Sequence, residues 1–99
     1  MSRGPDAGTR LARALERGGP NVVVTARAST RWASVTFTGA RHALTLDAPA
    51  SVAFDAWVEG LPETAFVLPG HLLADLAVLE VRRDGARVQV RIEALTVEE

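Results

Sequence analysis

The chain has 99 residues, 47% of them hydrophobic and 23% charged, with no cysteine and a formal net charge of −1. This length predicts a single domain, which we place at residues 6–99 behind a flexible tail at residues 1–5. The absence of cysteine excludes disulfides, thiolate nucleophiles and cysteine-ligated zinc. No apolar run reaches the roughly 18 residues of a membrane span, and the start lacks the apolar core of a secretory signal. We therefore expect a soluble, cytoplasmic protein without a membrane partner.

Charge is distributed unevenly along the chain, although the total is close to neutral. Residues 1–46 contain seven arginines and two acidic residues, whereas residues 47–99 contain four arginines and ten acidic residues. The basic half permits an anion or nucleic-acid binder, in which Trp32 stacks on a base and helical arginines contact phosphate. Alternatively, the opposite charges neighbour one another in the folded domain, and nucleic acid is then not expected as a partner. The arginines of the possible stripe are Arg3, Arg10, Arg13 and Arg17.

Two segments are predicted to be helices. Asp6 is a candidate N-cap for a short helix over Asp6–Arg17. In Pro49–Leu61 the apolar residues recur with helical spacing, so we expect a well-defined second helix with one broad buried stripe. Its aromatic pair, Phe54 and Trp57, either packs the helix on a sheet or forms one wall of a ligand pocket.

The segments NVVVTARAS and RWASVTFTGARHALTLD are predicted to be strands. Both are rich in Val, Thr, Trp and Phe and alternate apolar with polar residues. Thr38-Gly39, inside the second segment, is predicted to be a two-residue hairpin turn that divides it into two strands. Pairing outward from this turn sets Val35 opposite His42, so His42 is expected on the apolar face.

The C-terminal part is predicted to form a second hairpin. Pro69-Gly70 is a turn signal, and Asp84-Gly85, flanked by alternating apolar residues, predicts a two-residue hairpin turn. Pairing outward from that turn accounts for residues 72–97 as strands. On a strand, His71 and Asp75 lie about 13 Å apart, too far to share one metal ion. We therefore predict no metal site and no cofactor.

Together these elements predict an α+β fold in the order α-β-β-β-α-β-β-β. The sheet is expected to be curved, predominantly antiparallel and built from five to six strands, with the second helix packed on it. A shift of 46 residues aligns TGARHALTLD with DGARVQVRIE. This similarity indicates either two related halves or a chance likeness of hairpin turns.

The sequence contains no catalytic motif, so its function must be inferred from surfaces. We expect a non-catalytic interaction or accessory domain that self-associates as a homodimer through the C-terminal hairpin, because one end of that hairpin is apolar on both faces. The predicted interface residues are Leu72, Ala74, Leu76, Leu95 and Val97. The alternative is a small-molecule-binding or enzymatic domain with a pocket between the second helix and the sheet. The predicted lining of that pocket is His42, Phe54, Trp57, Phe37 and Arg41.

Overall fold

The computed structural model describes residues 6–99, and the predicted tail at residues 1–5 lies outside the described residues. The elements are α1 (Ala7–Gly18), β1 (Val23–Ala33), β2 (Thr38–Pro49), α2 (Val52–Gly60), a 3-10 turn (Leu61–Glu63), β3 (His71–Asp84) and β4 (Arg87–Glu98). The strands form one antiparallel sheet in the order β1-β2-β4-β3. The α+β class and the antiparallel sheet are confirmed. Over residues 6–99 the structure shows four strands rather than five or six, and it does not show the predicted curvature.

The first hairpin turns at residues 34–37, so the predicted turn at Thr38-Gly39 is wrong. Ser34 closes the turn: its hydroxyl accepts from the Phe37 N–H at 3.0 Å, and its own N–H donates to the Phe37 carbonyl at 2.7 Å. Serine hydroxyls stabilise turns through such local hydrogen bonds with the backbone. Because the turn lies earlier in the chain, β1 runs without a break through residues that were predicted to belong to two strands.

The changed turn also changes the register of this hairpin. His42 pairs with Ser29 rather than with Val35. Gly39 lies inside β2, where an added Cβ atom would stand 2.8 and 2.9 Å from two ring atoms of Trp32. The glycine is therefore required by close packing across the strands, and not by a turn.

The second hairpin is confirmed, but its two-residue turn is Gly85-Ala86 rather than the predicted Asp84-Gly85, because Asp84 pairs with Arg87. Gly85 has φ 61° at the first turn position, where glycine meets the requirement of a type II′ hairpin. Two bulges, at Ala74 and Leu79, interrupt the pairing of β3 with β4. They shift the pairing so that, at the end of the hairpin farthest from its turn, Leu72 lies opposite Val97.

Both helices are confirmed, and side-chain capping sets where they begin. The Asp6 carboxylate accepts from the Thr9 N–H at 2.8 Å at the start of α1. The Ser51 hydroxyl accepts from the Phe54 N–H at 2.9 Å at the start of α2. Both bonds satisfy first-turn N–H groups that have no partner inside the helix. The predicted start of the second helix at Pro49 is therefore wrong, since Pro49 is the last residue of β2.

The helices pack on one face of the sheet, which we call the inner face. Alternate residues of the central strands β2 and β4 fill it. Leu11 and Leu15 of α1 and Phe54 of α2 complete the core and are 0% exposed. The buried strand residues of this core are Leu44, Leu46, Ala48, Val88, Val90, Ile92 and Ala94. The opposite face, which we call the outer face, is covered by neither helix.

The topology divides the chain into two similar halves, each a helix followed by two strands. The second strands of the halves, β2 and β4, lie side by side at the centre of the sheet. The shift of 46 residues does not superpose equivalent positions, because it sets Gly39, inside a strand, on Gly85, inside a turn. The halves correspond in the order of their elements and not in this local similarity.

Candidate functional site

One end of the outer face carries a row of apolar residues that crosses all four strands. Trp32 pairs with Gly39, Gly39 with Val97, and Val97 with Leu72, so the four residues lie side by side on the same face. We call this set the apolar row. Leu95 lies beside it, two residues earlier on β4. Leu72 is 56% exposed, so its side chain is in contact with water.

Trp32 is the largest side chain of the apolar row, and its ring lies over Gly39. The indole Nε1–H is buried and has no hydrogen-bond partner among residues 6–99. A buried donor without a partner costs about 1–3 kcal/mol. The isolated domain therefore bears two costs at this end of the sheet, the unpaired N–H and the exposed apolar surface.

Charged residues are spread among alanines and threonines over the rest of the outer face, and the two signs nearly balance. Arg41 lies 3.5 Å from Glu93, and Arg91 lies 2.9 Å from Glu80. By pairing parity, the outer-face cations are Arg41, Arg82, Arg87 and Arg91, and the anions are Asp47, Asp75, Glu80, Asp84 and Glu93. Arg87 and Asp47 form a further ion pair on β2 and β4. The Arg41–Glu93 pair joins the basic and the acidic part of the sequence, whereas the other two pairs lie within residues 47–99.

The predicted interface residues are divided between the two faces. Leu72, Leu95 and Val97 lie on the outer face at or beside the apolar row. Ala74 is the exposed residue of a bulge. Leu76, however, pairs with Ala94 on the inner face and is only 4% exposed, so it belongs to the core.

The residues predicted to line a ligand pocket do not come together. Phe54 is buried, and its ring lies 5.8 Å from that of Trp57, which explains the aromatic pair as packing of α2. Phe37 is 56% exposed in the first hairpin turn. Arg41 points to the outer face, whereas His42 points to the inner face.

His42 is held on the inner face by a chain of hydrogen bonds. It is 1% exposed. Its Nδ1 lies 2.7 Å from the Ser29 hydroxyl, and its Nε2 lies 2.9 Å from the Thr96 hydroxyl. The Thr96 hydroxyl in turn donates to the Ala40 carbonyl at 3.4 Å. We call this set the His42 chain.

A cavity of about 190 Å³ opens beside the His42 chain at the start of α1. Ser29 and His42 line it together with Asp6, Gly8, Arg31 and His71. Desolvation lowers the pKa of His42 below its usual 6.5, and the positive charges of His71 and Arg27 act in the same direction. The negative charge of Asp6 acts in the opposite direction but is outweighed.

The partners of His42 were not recognised in the sequence, because the first turn was placed wrongly. Ser29 and Thr96 lie 13 and 54 residues away from His42 along the chain. Had Ser34 been read as the turn residue, pairing outward would have set Ser29 opposite His42. Thr96 required the pairing of β2 with β4, for which the sequence carries no local signal.

The basic stripe predicted to bind nucleic acid and the Trp32 ring lie on opposite faces of the sheet. Arg10, Arg13 and Arg17 belong to α1, which packs on the inner face, whereas Trp32 lies on the outer face. Arg3 lies outside the described residues.

His71 and Asp75 are on one strand, as predicted, and His71 contacts the Pro69 carbonyl at 3.3 Å through Nδ1.

Comparison of the chain with protein-family models, curated proteins and solved structures found no significant match. Its two helices within residues 6–99 have 12 and 9 residues, and neither is long and apolar enough to cross a membrane. Function must therefore be argued from the apolar row and the His42 chain.

Proposed function

We propose that this protein is an interaction domain that associates with a second copy of itself through the outer face of its sheet. The observation that carries the proposal is the apolar row, which crosses the uncovered face from Trp32 to Leu72. Contiguous exposed apolar surface on a small domain is typical of a protein-binding site. Three of the residues expected at the interface lie in the row or beside it, namely Leu72, Leu95 and Val97.

The charge of the outer face favours a second copy over a strongly charged partner. Its four arginines face five acidic residues, several of them in ion pairs. Two such faces brought together would meet little net repulsion. Rotation of one copy would also let cations of one sheet approach anions of the other, which favours a twofold arrangement.

The size of the face is suitable for a stable dimer. Four strands about 4.8 Å apart and eleven residues long make a face of roughly 700 Å². A standard protein interface buries about 800 Å² on each partner. Sheet faces pack about 10 Å apart with interdigitating side chains, so the exposed Leu72 and Leu79 would be covered by the partner's sheet.

A charge placed in the apolar row should separate the two copies. We expect sedimentation velocity at micromolar concentration to show a dimer for the wild type and a monomer for Leu72→Glu, because the new carboxylate would be buried without a partner. Val67→Glu is the matched control: Val67 is 84% exposed and lies outside the sheet, so this variant should remain a dimer. A wild type that stays monomeric up to millimolar concentration would contradict the proposal.

A further inference from the structure

We propose that Ser29 is a nucleophile activated by His42, and that the cavity beside them hydrolyses small esters. This inference goes beyond self-association and does not depend on it, since the cavity lies at the inner face. Nucleophilic serines are recognised by a base within hydrogen-bond reach and by a third group that orients the base. The Ser29 hydroxyl, the His42 imidazole and the Thr96 hydroxyl stand in that relation at 2.7 and 2.9 Å.

The direction of the hydrogen bonds places the free lone pair of His42 toward Ser29. We assign the single proton of the Thr96 hydroxyl to its 3.4 Å contact with the Ala40 carbonyl, because a carbonyl oxygen can only accept. Thr96 therefore accepts from His42, which puts the imidazole proton on Nε2 and leaves Nδ1 unprotonated. Nδ1 then accepts the proton of the Ser29 hydroxyl, as a general base must.

Ser29 is accessible from the cavity, and a glycine at the start of α1 lies directly against it. Ser29 lies on the edge strand β1 and is exposed. A Cβ atom at Gly8 would stand 2.9 Å from the Ser29 Oγ and 3.3 Å from the His42 Nδ1. The backbone of α1 therefore packs against both reacting atoms, and a small molecule would reach them through the cavity that Ser29 and His42 line. The cavity volume of about 190 Å³ limits the substrate to a short acyl group.

The charged groups around the cavity suit a neutral ester. Arg31 lines the cavity, and we assign it the stabilisation of the developing oxyanion, although its guanidinium also lies 3.5 Å from Glu98. Asp6 and Glu98 border the same space and would repel an anionic substrate. Burial lowers the pKa of His42 and so favours the neutral imidazole, the form that can accept a proton.

The reaction balances without a cofactor. The Ser29 Oγ bonds to the ester carbonyl carbon while its proton moves to the His42 Nδ1; the bond to the alcohol oxygen then breaks, and the alcohol leaves with that proton. Water next bonds to the acyl carbon and gives one proton to Nδ1. The bond to the Ser29 Oγ breaks, the oxygen takes this proton back, and the carboxylic acid is released.

The direct test is covalent labelling of the folded full-length protein with diethyl fluorophosphate. The Ser29 Oγ would displace fluoride from phosphorus, giving one diethylphosphoryl group per chain by intact-mass spectrometry. Trypsin separates Ser29, in the peptide from Ala28 to Arg31, from Ser34 in the following peptide, and fragmentation distinguishes Ser29 from Thr30. Ser34→Ala is the matched control and should label at the wild-type rate, whereas Ser29→Ala should lose at least nine-tenths of the labelling.

Variants around Ser29 separate activation from simple exposure. His42→Asn should lower the rate of labelling about 100-fold, the size of a general-base contribution, and Gly8→Ala should lower it because its methyl group would crowd the Ser29 hydroxyl and the His42 Nδ1. Circular dichroism establishes whether each variant is folded. If His42→Asn is not folded, the labelling of Gly8→Ala still tests the proposal. An unlabelled wild type, or equal labelling of Ser29→Ala and wild type, would overturn the proposal.

Discussion

At one end of the molecule, the two faces of the sheet differ in how many of their side chains are buried and have hydrogen-bond partners. Thr96 and Val97 are neighbours on β4, yet Thr96 is 0% exposed and hydrogen-bonded to His42, whereas Val97 lies in the apolar row. On the inner face, the buried polar groups of the His42 chain find partners within the domain. On the outer face, the Trp32 N–H has none among the described residues, and Leu72 is exposed. Association through the outer face, as we propose, would cover the groups that the domain leaves unsatisfied there.

The largest expected effect is on the inner face, where removal of His42 should cost stability. We expect His42→Ala to lower the free energy of unfolding by about 3 kcal/mol, because a cavity forms and the hydrogen bonds to the Ser29 and Thr96 hydroxyls are lost. Urea unfolding followed by circular dichroism measures the change. Leu72→Ala on the outer face is the comparison and should change the free energy by less than about 0.5 kcal/mol in the monomer. Equal losses for the two variants would break the contrast between the faces.

A second prediction concerns Gly39, which lies beside Trp32 of the apolar row and Thr96 of the His42 chain. Gly39→Ala should destabilise the domain by about 2 kcal/mol, because the methyl group would collide with the Trp32 ring and with the Thr96 carbonyl oxygen. The same experiment should show a changed tryptophan emission as the ring is displaced. Gly60→Ala provides the control, since a Cβ atom there meets no atom within 4 Å. A Gly39→Ala variant as stable as Gly60→Ala would show that the ring does not lie over the glycine.

The smallest effect is the pH dependence that His42 introduces. Its pKa is lowered in the folded state, so below pH 6.5 the unfolded chain binds the proton more readily than the folded one. The contribution of His42 to the free energy of unfolding is therefore fully present above pH 6.5, and it is lost as the pH falls through the pKa of the folded state. Asp6, whose pKa is lowered from 3.8 by hydrogen bonds from Thr9, acts only in a more acidic range.

The urea midpoint should accordingly decrease between pH 7 and pH 5 in the wild type. In His42→Asn the decrease over this range should be smaller, since the titrating group is absent. A wild type and variant with parallel pH profiles would show that His42 is not the group responsible.

Much of the fold could be predicted because it depends on local chemistry. The Asp6 cap, the helical spacing of Phe54 and Leu61 and the Asp84-Gly85 signal each act within a few residues, and each element formed close to its predicted position. The candidate site was predicted less well. Of the predicted interface residues, Leu72, Leu95 and Val97 lie on the outer face, whereas Leu76 lies in the core because the bulges at Ala74 and Leu79 change which residues point inward.

The sequence by itself determined the class of the fold, the two helices and the second hairpin, since capping, periodicity and turn chemistry operate over short stretches of chain. Only the tertiary structure decided the number of strands, the partners of His42 and the composition of the apolar row. These depend on the pairing of β2 with β4, which joins residues as distant as Gly39 and Val97. No local signal encodes such a pairing, because it is selected by how well both helices cover one face of the finished sheet.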